Sequence, residues 1–327
     1  MKWKYEIRQR ALVPSDADTA NLLVYQAPDS QEKLELLQIL QFDAHDLESA
    51  LDPEEISRVD ISSDGIFIIL KRPNNVSVED MLRFGVSSVG LFLQPDKLTV
   101  ILDSGEPPFA AKEFRDVASL TAILPRFLLH TIRHFLDHLK IIKQLTAELE
   151  KKLSVSMENR YLLQMFSLSE SLIYYLSALE SNAGVLMKLR ANSARIGFSD
   201  EQREMMDDII IEHEQCLKQT QIYSSVLSGL MDARGNIINN NMNVLLKNLT
   251  LINVVFLPLN LIASIGGMSE YSAMTQGISI WISYSLFILA MIMLGWIMWI
   301  VLVRKIDRRN IKARQQLSQA GVAPRKR

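Results

Sequence analysis

Charge disappears from the chain twice in its last third. Residues 248 to 269, between Lys247 and Glu270, are 22 uncharged positions, and ISIWISYSLFILAMIMLGWIMWIVLV covers 26 more from 278 to 303. About 20 apolar residues in helical form cross a bilayer. Each run therefore predicts a transmembrane helix, the second with Trp281 and Tyr284 as interfacial anchors near one end. The short segment 266–277 makes the pair an antiparallel hairpin. Arg304, Lys305, Arg308 and Arg309 follow directly on the second run. The positive-inside rule places this 304–327 tail in the cytoplasm, with the N-terminal portion on the same side and 266–277 in the periplasm. The expected setting is the bacterial inner membrane, crossed twice, with both termini inside.

Upstream, the apolar pattern changes period. VDIS-SDG-IFIIL at 59–70 predicts a hairpin turning at Asp64-Gly65, and VGLFLQPDKLTVIL at 89–102 a second one turning at Pro95-Asp96. QEKLELLQIL and HDLESAL carry helical spacing ahead of those strands. Residues 1–120 thus predict an α/β domain, with Pro107-Pro108 marking its end. Residues 121–242 contain few helix breakers, and helices are expected at 121–154 and 158–193. A further helix begins with Ser199 as N-cap and Gln202 three residues on. It has no proline before Pro258 and is expected to run on as a stalk into the first membrane segment, 243–265. At 1.5 Å per residue such a helix is roughly 100 Å long. It needs partner helices or other subunits to stand in water.

Composition removes several classes of function. The net charge of −2 argues against nucleic-acid binding. Cys216 is the only cysteine, so no intrachain disulfide forms. With a polar, charged N-terminal stretch, this points to a reducing cytosol for the bulk of the chain. No P-loop, Rossmann glycine fingerprint, HExxH or G-x-S-x-G is present. Acidic neighbours raise the Cys216 pKa and make it a poor nucleophile. An enzyme is not expected.

A 3-and-4 alternation through the first membrane segment selects Asn239, Asn243, Leu246, Thr250, Asn253, Leu257, Asn260 and Ser264. This spacing keeps one face toward a bundle axis. Polar side chains in a membrane turn to a bundle interior or to water. One reading is a pore, with amide and hydroxyl oxygens replacing part of an ion's hydration shell and Leu246 and Leu257 as constrictions. The other is hydrogen-bonded adhesion between helices. Two helices cannot enclose a pore, so the first reading requires a homo-oligomer with the second helix facing lipid.

SGLMD at 228–232 and NVLLKNLTLINVVFLPLNLIASIGGMS from Asn243 to Ser269, with Thr250 and Pro258 in register, resemble the CorA family of divalent-cation channels and transporters. The resemblance covers about 200–310 most closely. It implies a homopentameric funnel: a cytoplasmic α/β domain, a stalk continuous with the pore helix, and an outer ring of second helices. The family signature at the periplasmic mouth is Gly-Met-Asn, or Gly-Ile-Asn in the ZntB branch. Here Gly267, Met268 and Ser269 stand in its place, a divergence similar to the CmaX proteins. A serine hydroxyl is shorter than an asparagine carbonyl and also donates, so it holds a hydrated cation less firmly. Glu270 adds an acidic group that concentrates cations at the mouth. Asp208 and Asp232 fall on acidic stalk positions like those through which the family senses cytoplasmic metal.

TIRHFLDHLK sets His130, His134 and His138 at four-residue spacing, and His213 lies between Glu212 and Glu214. Two histidines one turn apart can share zinc or a similar ion. Three cannot, since the outer pair is about 12 Å apart along the axis. A solvated or interhelical histidine stripe is the alternative. The polar stripe and what the CorA resemblance implies point to a divalent-cation channel, with Mg²⁺ as the expected ion transported and sensed. The rival readings are Zn²⁺, Co²⁺ or Ni²⁺ transport, or a non-conducting membrane-anchored sensor or scaffold.

Overall fold

A computed structural model describes residues 1–17, 19–40, 44–62, 65–74, 83–155, 158–266, 273, 277 and 279–319. The chain divides into two compact units, Met1–Asp232 and Ala233–Arg327.

The first unit is built on a seven-stranded sheet. Its strands are β1 (Lys2–Arg8), β2 (Ala11–Pro14), β3 (Leu22–Gln26), β4 (Arg58–Ile61), β5 (Ile66–Pro73), β6 (Val86–Leu93) and β7 (Leu98–Leu102). Their spatial order is β2-β1-β3-β7-β6-β5-β4. Every neighbouring pair is antiparallel except β3 with β7, where Leu22 pairs Leu98 and Gln26 pairs Leu102. Both expected hairpins form: Ile61 pairs Ile66 across one, and Leu93 pairs Leu98 across the other. Asp64 lies outside the described residues.

The period of two in a strand sends alternate side chains to opposite faces. Leu22, Val24, Ile68, Leu70, Leu91 and Val100 face one core. Helices α3 (Leu120–Val155) and α4 (Asn159–Ala191) cover that face, through side chains such as Phe127, Phe135 and Leu172. Leu23, Tyr25, Phe67, Ile69, Phe92 and Ile101 face the other, with Leu36 of α1 (Ser30–Leu40) and Leu47 and Ala50 of α2 (Ala44–Leu51). The central strands are buried on both sides, which is why they read as nearly continuous apolar runs. Gly90 permits the tightest of these contacts, since a methyl group there would stand 2.7 Å from the Ala50 Cβ.

The short α5 (Ser193–Ile196) ends on Gly197 in the left-handed region, at φ 81°. The chain then enters α6 (Asp200–Gly266) through a capping box. The Ser199 N–H donates to Gln202 Oε1 at 3.0 Å, and the Gln202 N–H donates to Ser199 Oγ at 3.3 Å. These reciprocal bonds satisfy two amides that the first helical turn leaves free. Met206, Ile209, Cys216 and Leu227 of α6 join the core shared with α3 and α4.

The second unit contains the remainder of α6 and the helix α7 (Ile280–Gln319). Both carry a stretch long and apolar enough to cross a membrane. The helical backbone of α7 continues past the uncharged run into the basic tail. The two helices touch where a methyl group at Gly295 would stand 3.4 Å from Leu259 Cδ1. Around that point Leu251, Val255, Pro258, Leu259 and Ile262 of α6 are half-buried, as are Phe287, Met291, Gly295 and Met298 of α7.

Candidate functional site

Helical register decides which face of α6 meets α7 and which does not. The half-buried residues 251, 255, 258, 259 and 262 recur at three- and four-residue intervals. The polar series does the same on another face. At 3.6 residues per turn, its centre lies about 155° around the helix from the centre of the α7 contact. Asn243, Leu246, Thr250, Asn253, Leu257, Asn260 and Ser264 are all exposed in the single chain. Leu246 is 53% exposed and Leu257 67%. Thr250 Oγ1 donates to the Leu246 carbonyl at 2.8 Å, so its hydroxyl proton is used within the helix. Its lone pairs remain available as acceptors. Among the described residues the stripe therefore lies away from the α7 contact, and adhesion to α7 within one chain does not explain it. Gly267, Met268, Ser269 and Glu270 lie outside the described residues.

The two stalk acids sit apart. Asp208 and Asp232 are both exposed on α6. The neighbouring Asp207 accepts from Arg190 Nη2 at 2.7 Å.

The histidines divide into different environments. His130 and His134 line a cavity of about 650 Å³ with Lys112, Glu113, Arg133 and Glu212. Glu113 comes from a 3₁₀ turn, Lys112–Phe114, and its side chain is only 4% exposed. Arg133 Nη1 donates to Glu113 Oε1 at 2.8 Å, while Arg133 Nε lies 3.8 Å from Glu212 on α6. His130 Nδ1 stands 3.5 Å from the other Glu113 oxygen. Burial, the largest single influence, would push the Glu113 carboxyl up, but hydrogen bonds from Arg133, the backbone and His130 together hold the group below the usual range. Burial lowers His130, and burial together with the neighbouring imidazoles takes His134 down to about 4. Both rings are therefore neutral at pH 7.

His138 is a core residue instead. It is buried, and its Nδ1 lies 2.5 Å from Tyr175 Oη. The two rings stack at 16°. His213 is also buried, with the Leu179 carbonyl as a partner and Nε2 unpaired. Among the described residues no three His, Cys, Asp or Glu side chains surround a common point as a ready-made metal cage.

With a buried α/β sheet, a helix of 67 residues and an apolar hairpin in place, comparison with known proteins becomes decisive. The family model for CorA-like Mg²⁺ transporter protein matches residues 19–308. The chain belongs to the CorA-like Mg²⁺ transporter family. It is 25% identical over 250 residues to the cobalt/magnesium transport protein CorA of Methanocaldococcus jannaschii, spanning 74% of this chain and 77% of that one. The complete structure of the CorA magnesium transporter from the same organism matches with a TM-score of 0.71 at 22% identity, covering 91% of this chain and 96% of that one. The full-length CmaX structure matches with a TM-score of 0.66 at 12% identity, covering 92% and 97%. These two likenesses show the fold.

Membership of a CorA-like family makes the two apolar helices transmembrane helices and the protein a transporter rather than an enzyme. Sequence reasoning missed Glu113 and Arg133 as companions of the histidines. Arg133 was legible as a neighbour of His130 on the same helix. Glu113 lies just past the Pro107-Pro108 boundary, and only the packed fold brings it to α3.

Proposed function

We propose that the chain is one subunit of a homo-oligomeric divalent-cation channel, a pentamer by family analogy, whose principal ion is Mg²⁺. The observation that carries this reading is the polar stripe on the face of α6 turned away from α7. Six of its eight positions, from Asn239 to Ser264, are Asn, Thr or Ser. Side chains of this kind inside a bilayer need water or one another. Copies of α6 around an axis give them both, with α7 outside against lipid.

Ions on this path enter at Gly267, Met268 and Ser269, where Glu270 gathers cations, and pass Ser264, Asn260, Asn253, Thr250 and Asn243. Leu257 and Leu246 form apolar constrictions that gate by dewetting. No carboxylate lies between Lys247 and Glu270. Proton coupling inside the membrane therefore has no group to act through, and the membrane potential is the driving force. The basic tail places both termini in the cytoplasm of a bacterial inner membrane. Asp208 and Asp232, exposed on α6, are available for regulatory metal between subunits. The name of the archaeal relative adds Co²⁺ as a second cargo to test.

Cysteine accessibility tests the wet face directly. Cys216 is fully buried and its thiol is pushed up to about 12 by burial, so native background labelling is low. Asn253→Cys and Asn260→Cys should react with a small water-soluble thiol reagent in intact membranes, and Ile252→Cys, on another face, should not. Equal protection at all three positions would remove the pore reading and leave a sealed helix bundle.

A further inference from the structure

The cavity beside α3 lies within the Met1–Asp232 unit, and its donors have the chemistry of a different class of cation. We propose that Glu113, His130 and His134 form a binding site for a first-row transition metal ion of the Zn²⁺ type, completed by water. This goes beyond the transport reading and is measured without transport.

The geometry starts with the pair already in place. A tetrahedral Zn²⁺ with bonds near 2.0–2.1 Å holds neighbouring ligand atoms about 3.3 Å apart. His130 Nδ1 and Glu113 Oε2 are 3.5 Å apart. That is too long for a good hydrogen bond and close to the spacing of two ligands on one ion. His134 follows one turn along α3, its ring centroid 6.2 Å from that of His130. Two imidazoles sharing a tetrahedral ion have centroids about 5.2 Å apart. Closing roughly 1 Å by side-chain rotation therefore brings the third donor in, with the cavity supplying room for the ion and its water.

The surrounding charges fit this assignment. Glu113 is nearly buried, its side chain 4% exposed, and presents a carboxylate oxygen to the cavity that His130 and His134 also line. Arg133 donates to Glu113 but has an alternative acceptor in Glu212, 3.8 Å from its Nε. A guanidinium displaced by a bound cation therefore has a second carboxylate within reach. Imidazole donors favour Zn²⁺, Ni²⁺ or Co²⁺ over Mg²⁺, which prefers oxygen and keeps its water.

The test uses the full-length protein, purified in detergent and stripped of metal. Zn²⁺ titration by calorimetry in millimolar Mg²⁺ should show one tight site per chain. His134→Ala and Glu113→Gln should each weaken it by at least about tenfold. Circular dichroism checks that each variant keeps its helices. Co²⁺ added to the unaltered protein should give visible absorption bands of a low-coordinate ion with nitrogen ligands, a readout that needs no variant. Zn²⁺ affinity unchanged in both variants, or no Zn²⁺-specific binding to the unaltered protein, would overturn the proposal. Loss of Mg²⁺ flux with Zn²⁺ binding intact would count against the channel and not against this site.

Discussion

Asn182 takes the place of a missing strand, and its removal should cost the Met1–Asp232 unit more than any ordinary surface change. Strand β4 pairs with β5 only from Ile61–Ile66 to Arg58–Ile69. The β5 backbone at Lys71 therefore lies beyond the end of its neighbour. Asn182 of α4 fills the gap: its Oδ1 accepts from the Lys71 N–H at 2.9 Å, and its Nδ2 donates to the Lys71 carbonyl at 2.8 Å. The Ser57 hydroxyl also donates to Oδ1, at 2.8 Å. Asn182 is only 5% exposed, so water does not replace these bonds freely. Asn182→Ala strands two buried backbone groups, each worth about 1–3 kcal/mol when left unpaired. Partial rehydration brings the expected loss to about 3 kcal/mol. For a unit of this size that corresponds to a fall of roughly 6–12 °C in Tm. Thermal unfolding in detergent, followed by circular dichroism, measures it, with exposed Glu180→Ala as the control. A shift below about 2 °C in Asn182→Ala would refute the argument that the amide substitutes for a strand.

Three further outcomes follow from the same structure. Ser199→Ala removes one half of the capping box that opens α6 and should cost about 1 kcal/mol in the same assay. Gly90→Val drives a side chain into Ala50 and should destabilise by about 1–3 kcal/mol, whereas Gly184→Ala, with open space around it, should not. His213 is held below the ordinary value of 6.5 by burial, against a smaller opposing effect of the Leu179 carbonyl. The unfolded chain then binds the extra proton first, so stability should fall as pH drops through 6.5 toward the folded value. His213→Leu should flatten that slope when Tm is recorded against pH in chelated buffer.

What the sequence disclosed depended on how local each signal was. The β4–β5 and β6–β7 hairpins announce themselves through apolar runs flanking a turn, and the start of α6 through Ser199 and Gln202. The length of α6 was readable because nothing between them and Pro258 stops a helix. Strand β1 was not identified, although KWKYEIR alternates Trp3, Tyr5 and Ile7 with charged residues. The structure packs those three against the core. The parallel pairing of β3 with β7 joins segments more than seventy residues apart, and no local pattern encodes such a contact. The polar stripe could be read because helical register alone defines it. That it turns away from α7 could not, since this depends on where Leu259 meets Gly295. The companions of His130 were hidden for the same reason: Glu113 approaches only after the 3₁₀ turn has packed on α3.

The central claim is that cations cross along the polar face of α6, and flux through the purified protein tests it most directly. Proteoliposomes loaded with a Mg²⁺-sensitive dye, and set to an inside-negative potential, should show Mg²⁺ influx that depends on that potential. Asn260→Leu should reduce the influx while leaving the oligomer intact. Undiminished influx in that variant, or no influx of Mg²⁺ or Co²⁺ from an intact oligomer, would contradict the account.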